Sequence, residues 1–223
     1  MHVEKDSFIK LKAPQLNVGV IQYHDTQVLQ TPKMLQGRFQ FFHESLRLDF
    51  EEEGCIQKHP QLQYVHAYLE ALGIDVGYHV PVFEEQFHHI LSGHSPTTGY
   101  SALDITHFFS LRYFTPILVL DVQSISGDIL TLRMGEKDET IKYNGKEYSV
   151  EQLLVFSDAK GAVASPFLPV IREALTYDSH QLVQLIFMPQ IAKSKEDGQA
   201  LLQTIIDLFL HVHGGGVQDI QIV

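Results

Sequence analysis

The chain has 223 residues, 44% of them hydrophobic and 19% charged, the composition of a globular protein long enough to bury a real core as one large domain. The 27 acids against 16 bases give a net charge of −11, which argues against the broadly basic surface of a strong nucleic-acid binder; the 13 histidines offset that charge only at mildly acidic pH. A single cysteine, Cys55, excludes an internal disulfide and any multi-cysteine metal site, and reads as an ordinary buried or semi-buried thiol.

No apolar run reaches the roughly 20 residues a membrane helix needs. Met1 to Lys12 alternates charged and apolar side chains without a signal-peptide core, so a cytoplasmic location is expected. After this polar start, residues 17–21 read as a short buried strand and Met34 to Leu48 as a helix that the acidic run Asp49 to Glu53 should end. Pro60 suits the first turn of a helix that Gly73 stops, and a short helix follows from about Val82 to Leu91. Residues 93–99, Gly-His-Ser-Pro-Thr-Thr-Gly, form a loop by composition.

Ser101, with Asp104 three residues on, has the pattern of a capping box opening a helix over Ala102 to about Tyr113. Pro116 cannot continue that helix and starts the strand Ile117 to Leu120, closed by Asp121; Gly127-Asp128 then turns the chain into Ile129 to Arg133. Asn144-Gly145, between residues 140–143 and 146–148, is the chain's clearest hairpin signal. Strands are expected at Leu153 to Phe156, ending at Ser157-Asp158, at Leu182 to Met188, and at Val217 to Val223. Ser194 and Asp197 form a second capping-box pattern, opening a helix that residues 214–216, three glycines, break. The class is α+β, with helices concentrated early and a mainly antiparallel or mixed sheet. Lysine pairs at positions 10 and 12, 142 and 146, and 193 and 195 read as solvated surface before they read as nucleic-acid contacts.

Taken in order, Asp104-Ile105-Thr106-His107, Pro116 with Asp121, Gly127-Asp128-Ile129 and Arg133 resemble the B3/B4 domain of the bacterial phenylalanyl-tRNA synthetase beta chain, as a stand-alone relative of it. The similarity runs from about His59 through Phe187: Asn144-Gly145 matches the module's hairpin turn, Asp158 an aspartate at a strand end, and Thr176 to Phe187 its closing turn and strand. Over 1–58 the match fades. The resemblance implies a single B3/B4-like domain over 1–223, with tRNA or aminoacyl-tRNA as partner and hydrolysis of a mischarged aminoacyl ester as activity. Three positions depart from the family pattern: His107 stands for an asparagine, Leu118 for a histidine, and Pro169-Val170-Ile171 falls where the family has a glycine pair and a glutamate, the nearest acid being Glu173. The alternative is a non-catalytic module for an amino-acid-like ligand or a partner protein.

An aminoacyl ester is already activated, so a positioned water, one proton acceptor and an oxyanion donor suffice to hydrolyse it. His107 is the acceptor candidate, three residues before Ser110 on the same helix face. Thr97 and Thr98 are candidate loop contacts. Asp104 is read as a cap with a second role at the pocket, and Asp158 and Ser165 either line that pocket or make turns through backbone bonds. His88-His89 with His94, and His211 with His213, supply no three- or four-ligand metal spacing, and no cofactor or metal is expected. No Gly-x-Ser-x-Gly elbow or Cys/His pairing points to a nucleophile.

Overall fold

The computed structural model describes residues 1–53, 56–192 and 194–223; Cys55 and Lys193 lie outside the described residues. Ten strands and six α-helices follow one another as β1 His2–Lys5, α1 Ser7–Lys12, β2 Val18–His24, α2 Lys33–Glu53, α3 Pro60–Ala71, α4 Val82–Leu91, α5 Ser101–Tyr113, β3 Ile117–Asp121, β4 Ile129–Met134, β5 Thr140–Tyr143, β6 Lys146–Ser149, β7 Leu154–Asp158, β8 Gly161–Ala164, β9 Leu182–Phe187, α6 Lys195–His213 and β10 Gly216–Ile222, among the described residues. The class is α+β.

Two four-stranded sheets and a hairpin organise the chain. One sheet runs β10-β2-β9-β3, antiparallel throughout. The other runs β1-β4-β7-β8 and is mixed, because β1 joins β4 in parallel. β9 lies between two strands and is buried along its whole length, so its side chains serve two cores. Val183, Leu185 and Phe187 face α3, α4 and the second sheet, whereas Leu182 and Ile186 face α5 and α6. This period-2 division lets one sheet exclude water on both faces. Gln184, on the second of those faces, is fully buried and satisfied: it accepts from the Tyr23 hydroxyl at 2.7 Å and donates to Thr106 Oγ1 at 3.0 Å. α6 approaches β2 closely enough that a Cβ on Gly19 would stand 2.7 Å from Leu202 Cδ2.

Local signals are obeyed where nothing distant competes. Pro60 sits in the first turn of α3, Asn144 and Gly145 take positive φ between β5 and β6, and the Ser194–Asp197 capping box forms with both reciprocal bonds. Three expectations are corrected. The acidic run Asp49 to Glu53 forms the end of α2 instead of following it. The Ser101–Asp104 capping box does not form: the α5 N-cap is Tyr100, with no side-chain cap, because Ser101 already accepts from the Leu29 N–H at 3.1 Å and bonds His213 Nε2 at 2.8 Å. The polar start contains β1 and α1, the latter capped by Asp6 accepting from the Ile9 N–H at 2.7 Å.

Candidate functional site

A cavity of about 310 Å³ opens beside α5. Leu103, Thr106, His107 and Ser110 of α5 form one wall, and Ile117, Leu118 and Val119 of β3 form a second. Val82, Phe83 and Gln86 of α4, Tyr143 of the β5–β6 hairpin, and the segment from Pro166 to Leu175 close it, with Thr98 and Tyr100 at the α5 entrance. The helix–proline–strand order explains the geometry. Phe114 ends α5 in the left-handed region, Pro116 redirects the chain, and β3 returns along the side of the helix that it has just left.

Most hydroxyls on this wall are committed to the fold. Ser110 donates to the Thr115 carbonyl at 2.7 Å and accepts from the Ile117 N–H at 3.0 Å, thereby pinning the turn between α5 and β3. Thr106 donates to the Ala102 carbonyl at 2.7 Å while receiving Gln184. His107 of α5 and Gln86 of α4 are not committed in this way. His107 uses neither ring nitrogen in a hydrogen bond among the described residues, and Gln86 Oε1 is buried with no partner. Burial pushes His107 down to about 4, against the pull of Asp104 and with a smaller push from His43, so the ring is neutral near pH 7 with a free lone pair.

Asp104 does not line the cavity; it builds the entrance. Its carboxylate accepts from the Thr98 N–H at 2.7 Å, the Thr98 hydroxyl at 2.8 Å, the Gly99 N–H at 3.3 Å and the Thr31 hydroxyl at 2.5 Å. Thr98 is thereby held at the rim, with Tyr100 next to it stacked on Tyr177 at 4.8 Å between ring centroids. Behind His107 lies a smaller cleft of about 100 Å³ containing His43, Arg47, His94 and Ser95, in which His43 Nδ1 bonds Ser95 Oγ at 2.7 Å.

The structure thus brings His107, Ser110 and Thr98 to one cavity, with Asp104 behind them. Thr97 is exposed and outside the lining. Asp158 and Ser165 are also outside it, for clear reasons. The Asp158 carboxylate takes both guanidinium nitrogens of Arg172, one at 2.9 Å, together with the N–H groups of Ser126 at 2.7 Å and Lys160 at 2.8 Å. Burial alone would raise it, but the Arg172 bond and the two N–H groups outweigh that and hold it at about 2. Ser165 donates to the Leu154 carbonyl at 2.9 Å and accepts from the Phe167 N–H at 3.3 Å, shaping the bend that leads to Pro166. Both make the turn chemistry that was the other reading of these residues. Gln86 and Tyr143 were not identified from sequence. Gln86 interrupts the apolar face of α4 beside Phe83 and Phe87, a local anomaly that could have marked it. No group of three or more metal-ligating side chains occurs among the described residues, and none of their helices is long and apolar enough to cross a membrane.

No model of a protein family matches the chain. It is 25% identical over 228 residues to the uncharacterized protein YhzB of Bacillus subtilis (strain 168), an alignment taking in 96% of each sequence. The likeness therefore extends well beyond the residues around the cavity.

Proposed function

We propose that the chain is a stand-alone B3/B4-like protein that takes the aminoacyl end of a tRNA into the α5 cavity and hydrolyses the ester there. The observation that carries this reading is the cavity itself. At about 310 Å³ it suits a ligand the size of one amino acid, its walls are chiefly aliphatic and aromatic, and Gln86 and His107 are uncommitted within it. Further support comes from the three departures from the B3/B4 pattern, since His107, Leu118 and the 169–171 segment all belong to that one lining. Residues scattered over 65 positions meet where a substrate pocket of that family would be rewritten.

In this reading the aliphatic wall receives the amino-acid side chain and Gln86 Oε1 accepts from its ammonium group. A water beside His107 attacks the ester carbonyl carbon and passes its proton to the imidazole. The bond from that carbon to the ribose oxygen breaks, and the oxygen recovers the proton from His107. The products are the free amino acid and uncharged tRNA. Because the ring stays neutral down to about pH 4, activity should hold through the range in which an ordinary histidine titrates.

The test is ester loss from a panel of correctly and incorrectly charged tRNAs. Acceleration by the protein, reduced about 100-fold in a His107→Ala variant, is the expected result. No acceleration with any member sinks the hydrolytic reading. A second reading then stands on one specific observation: His107 has no hydrogen-bonded partner to orient it, as a ring serving only as a pocket wall would not need one. That reading, a binding module for an amino-acid-like ligand, predicts calorimetric binding of free amino acids without deacylation.

A further inference from the structure

α2 contains 21 residues, about 31 Å of helix, and its two faces differ sharply. Leu35, Phe39, His43 and Leu46 are buried against the body of the protein. On the opposite face Met34, Phe41 and Leu48 are 74%, 71% and 59% exposed. These three follow one another at intervals of seven, which keeps them in a single stripe because an α-helix drifts only about 20° per seven residues. Such spacing is the seam of a helix–helix contact, and among the described residues no element covers it.

Two further features say what would. Gly37 lies between Met34 and Phe41 in the helix interior, where glycine weakens an exposed helix relative to alanine. A Cβ there would meet nothing within 4 Å, so the chain's own packing gives no reason for it. A small residue beside the stripe does let a second helix come close. The charges on the open side of α2 are also divided about Phe41: Lys33 and Arg38 precede it, Glu44 and Asp49 follow it. Arg47, the exception, reaches into the cleft at Gly93, with its guanidinium 3.7 Å from where a Cβ would stand; Glu44 lines the rim of that cleft but remains exposed.

We infer that this face joins two copies of the chain, with their α2 helices antiparallel about a two-fold axis at Phe41. That arrangement sets Phe41 against Phe41, Met34 level with Leu48, and Gly37 level with Ser45. It also brings the basic half of each helix alongside the acidic half of the other, whereas a parallel pairing would set like charges together. The contact is isologous and closes after two copies. Three large apolar side chains from each copy make a small contact, at the weak end of specific interfaces, and a dissociation constant on the order of micromolar is expected.

Sedimentation of the full chain across the micromolar range tests this. A reversible monomer–dimer equilibrium is expected, and Phe41→Glu should weaken it roughly 100-fold, because two carboxylates would meet in an apolar contact. Measured well below the dissociation constant, where both proteins are monomeric, its thermal midpoint should not change, Phe41 being exposed in the monomer, and Tyr78→Glu, at an exposed site elsewhere, should leave the dimer intact. In a Cys55→Ser background, Phe41→Cys copies should link to each other under mild oxidation, and Met34→Cys copies should link to Leu48→Cys copies faster than to themselves. A monomer at every concentration, a dimer indifferent to Phe41→Glu, or a dimer in which Phe41→Cys copies do not link would each overturn the inference.

Discussion

Asp104 and Asp158 both gather N–H groups onto a buried carboxylate, yet Asp158 does so beneath a guanidinium and Asp104 with hydroxyls and backbone alone. Asp158 ties together the loop at Ser126, the turn at Lys160 and Arg172, fixing the far end of β7. Asp104 ties Thr31 to the loop at Thr98 and Gly99, which forms the rim of the cavity. A paired charge in a closed setting is costly to disturb; an exposed neutral donor such as Thr98 can be exchanged for water at smaller cost. The contrast separates an anchor held by an ion pair from one held by neutral donors at the rim of a cavity.

The sharpest way to break this contrast is to remove the Asp158 carboxylate. Asp158→Ala leaves the half-buried Arg172 without its ion-pair partner and the Ser126 and Lys160 N–H groups without their acceptor, and a loss of about 3 kcal/mol is expected. For a chain of this length that lowers the thermal midpoint by roughly 10 °C. Ligand affinity in the cavity, measured well below that midpoint, should be unchanged. A stability loss below about 1 kcal/mol would mean that the pair is held no more tightly than a surface ion pair.

Acid sharpens the contrast without any mutation. His213, 3% exposed and bonded to Ser101 and the Phe209 carbonyl, is lowered to about 4, chiefly by burial. Its folded pKa lies below the unfolded value of 6.5, so the unfolded chain binds more protons between 6.5 and 4, and stability falls as pH falls through that window. At about pH 5 the cost from His213 is on the order of 2 kcal/mol, and His107 adds to it in the same direction. The Asp158 carboxylate, lowered from 3.8 to about 2, keeps its contribution until pH drops below 3.8. Urea unfolding at neutral pH and near pH 5 should show this loss, and His213→Gln should flatten it. An unchanged slope in that variant would remove His213 as the source.

How much of this was legible in the sequence depends on where each residue's partner lies. The Ser194–Asp197 cap, the Pro60 helix start and the Asn144-Gly145 turn are decided within a few residues, and all three formed. Ser101 and Asp104 have an equally good local pattern, but Leu29, Thr31 and His213 compete for their oxygens from distant parts of the chain and win. β1 was invisible for the same reason: its partner β4 begins at Ile129, and a four-residue strand carries little pattern of its own. At the site, His107, Thr98 and Ser110 could be found because they share or flank one helix. Gln86 and Tyr143 reach the cavity from α4 and the hairpin, an encounter that only the packing creates.

The smallest change addresses Asp104 through its partner. Thr98→Val keeps the shape of the rim residue and the N–H that Asp104 receives, but removes the hydroxyl bonded to Asp104 at 2.8 Å, which also accepts from the Tyr100 N–H at 3.1 Å. Thr98 is exposed, so water can replace much of what is lost, and stability should fall by about 1 kcal/mol or less. If the rim shapes entry to the cavity, affinity for an amino-acid-like ligand should nonetheless drop by about tenfold, since a loosened loop must be reordered each time the ligand binds. A variant that loses the stability but keeps the affinity would show that Asp104 merely fastens the loop, and that its resemblance to Asp158 is closer than their different partners suggest.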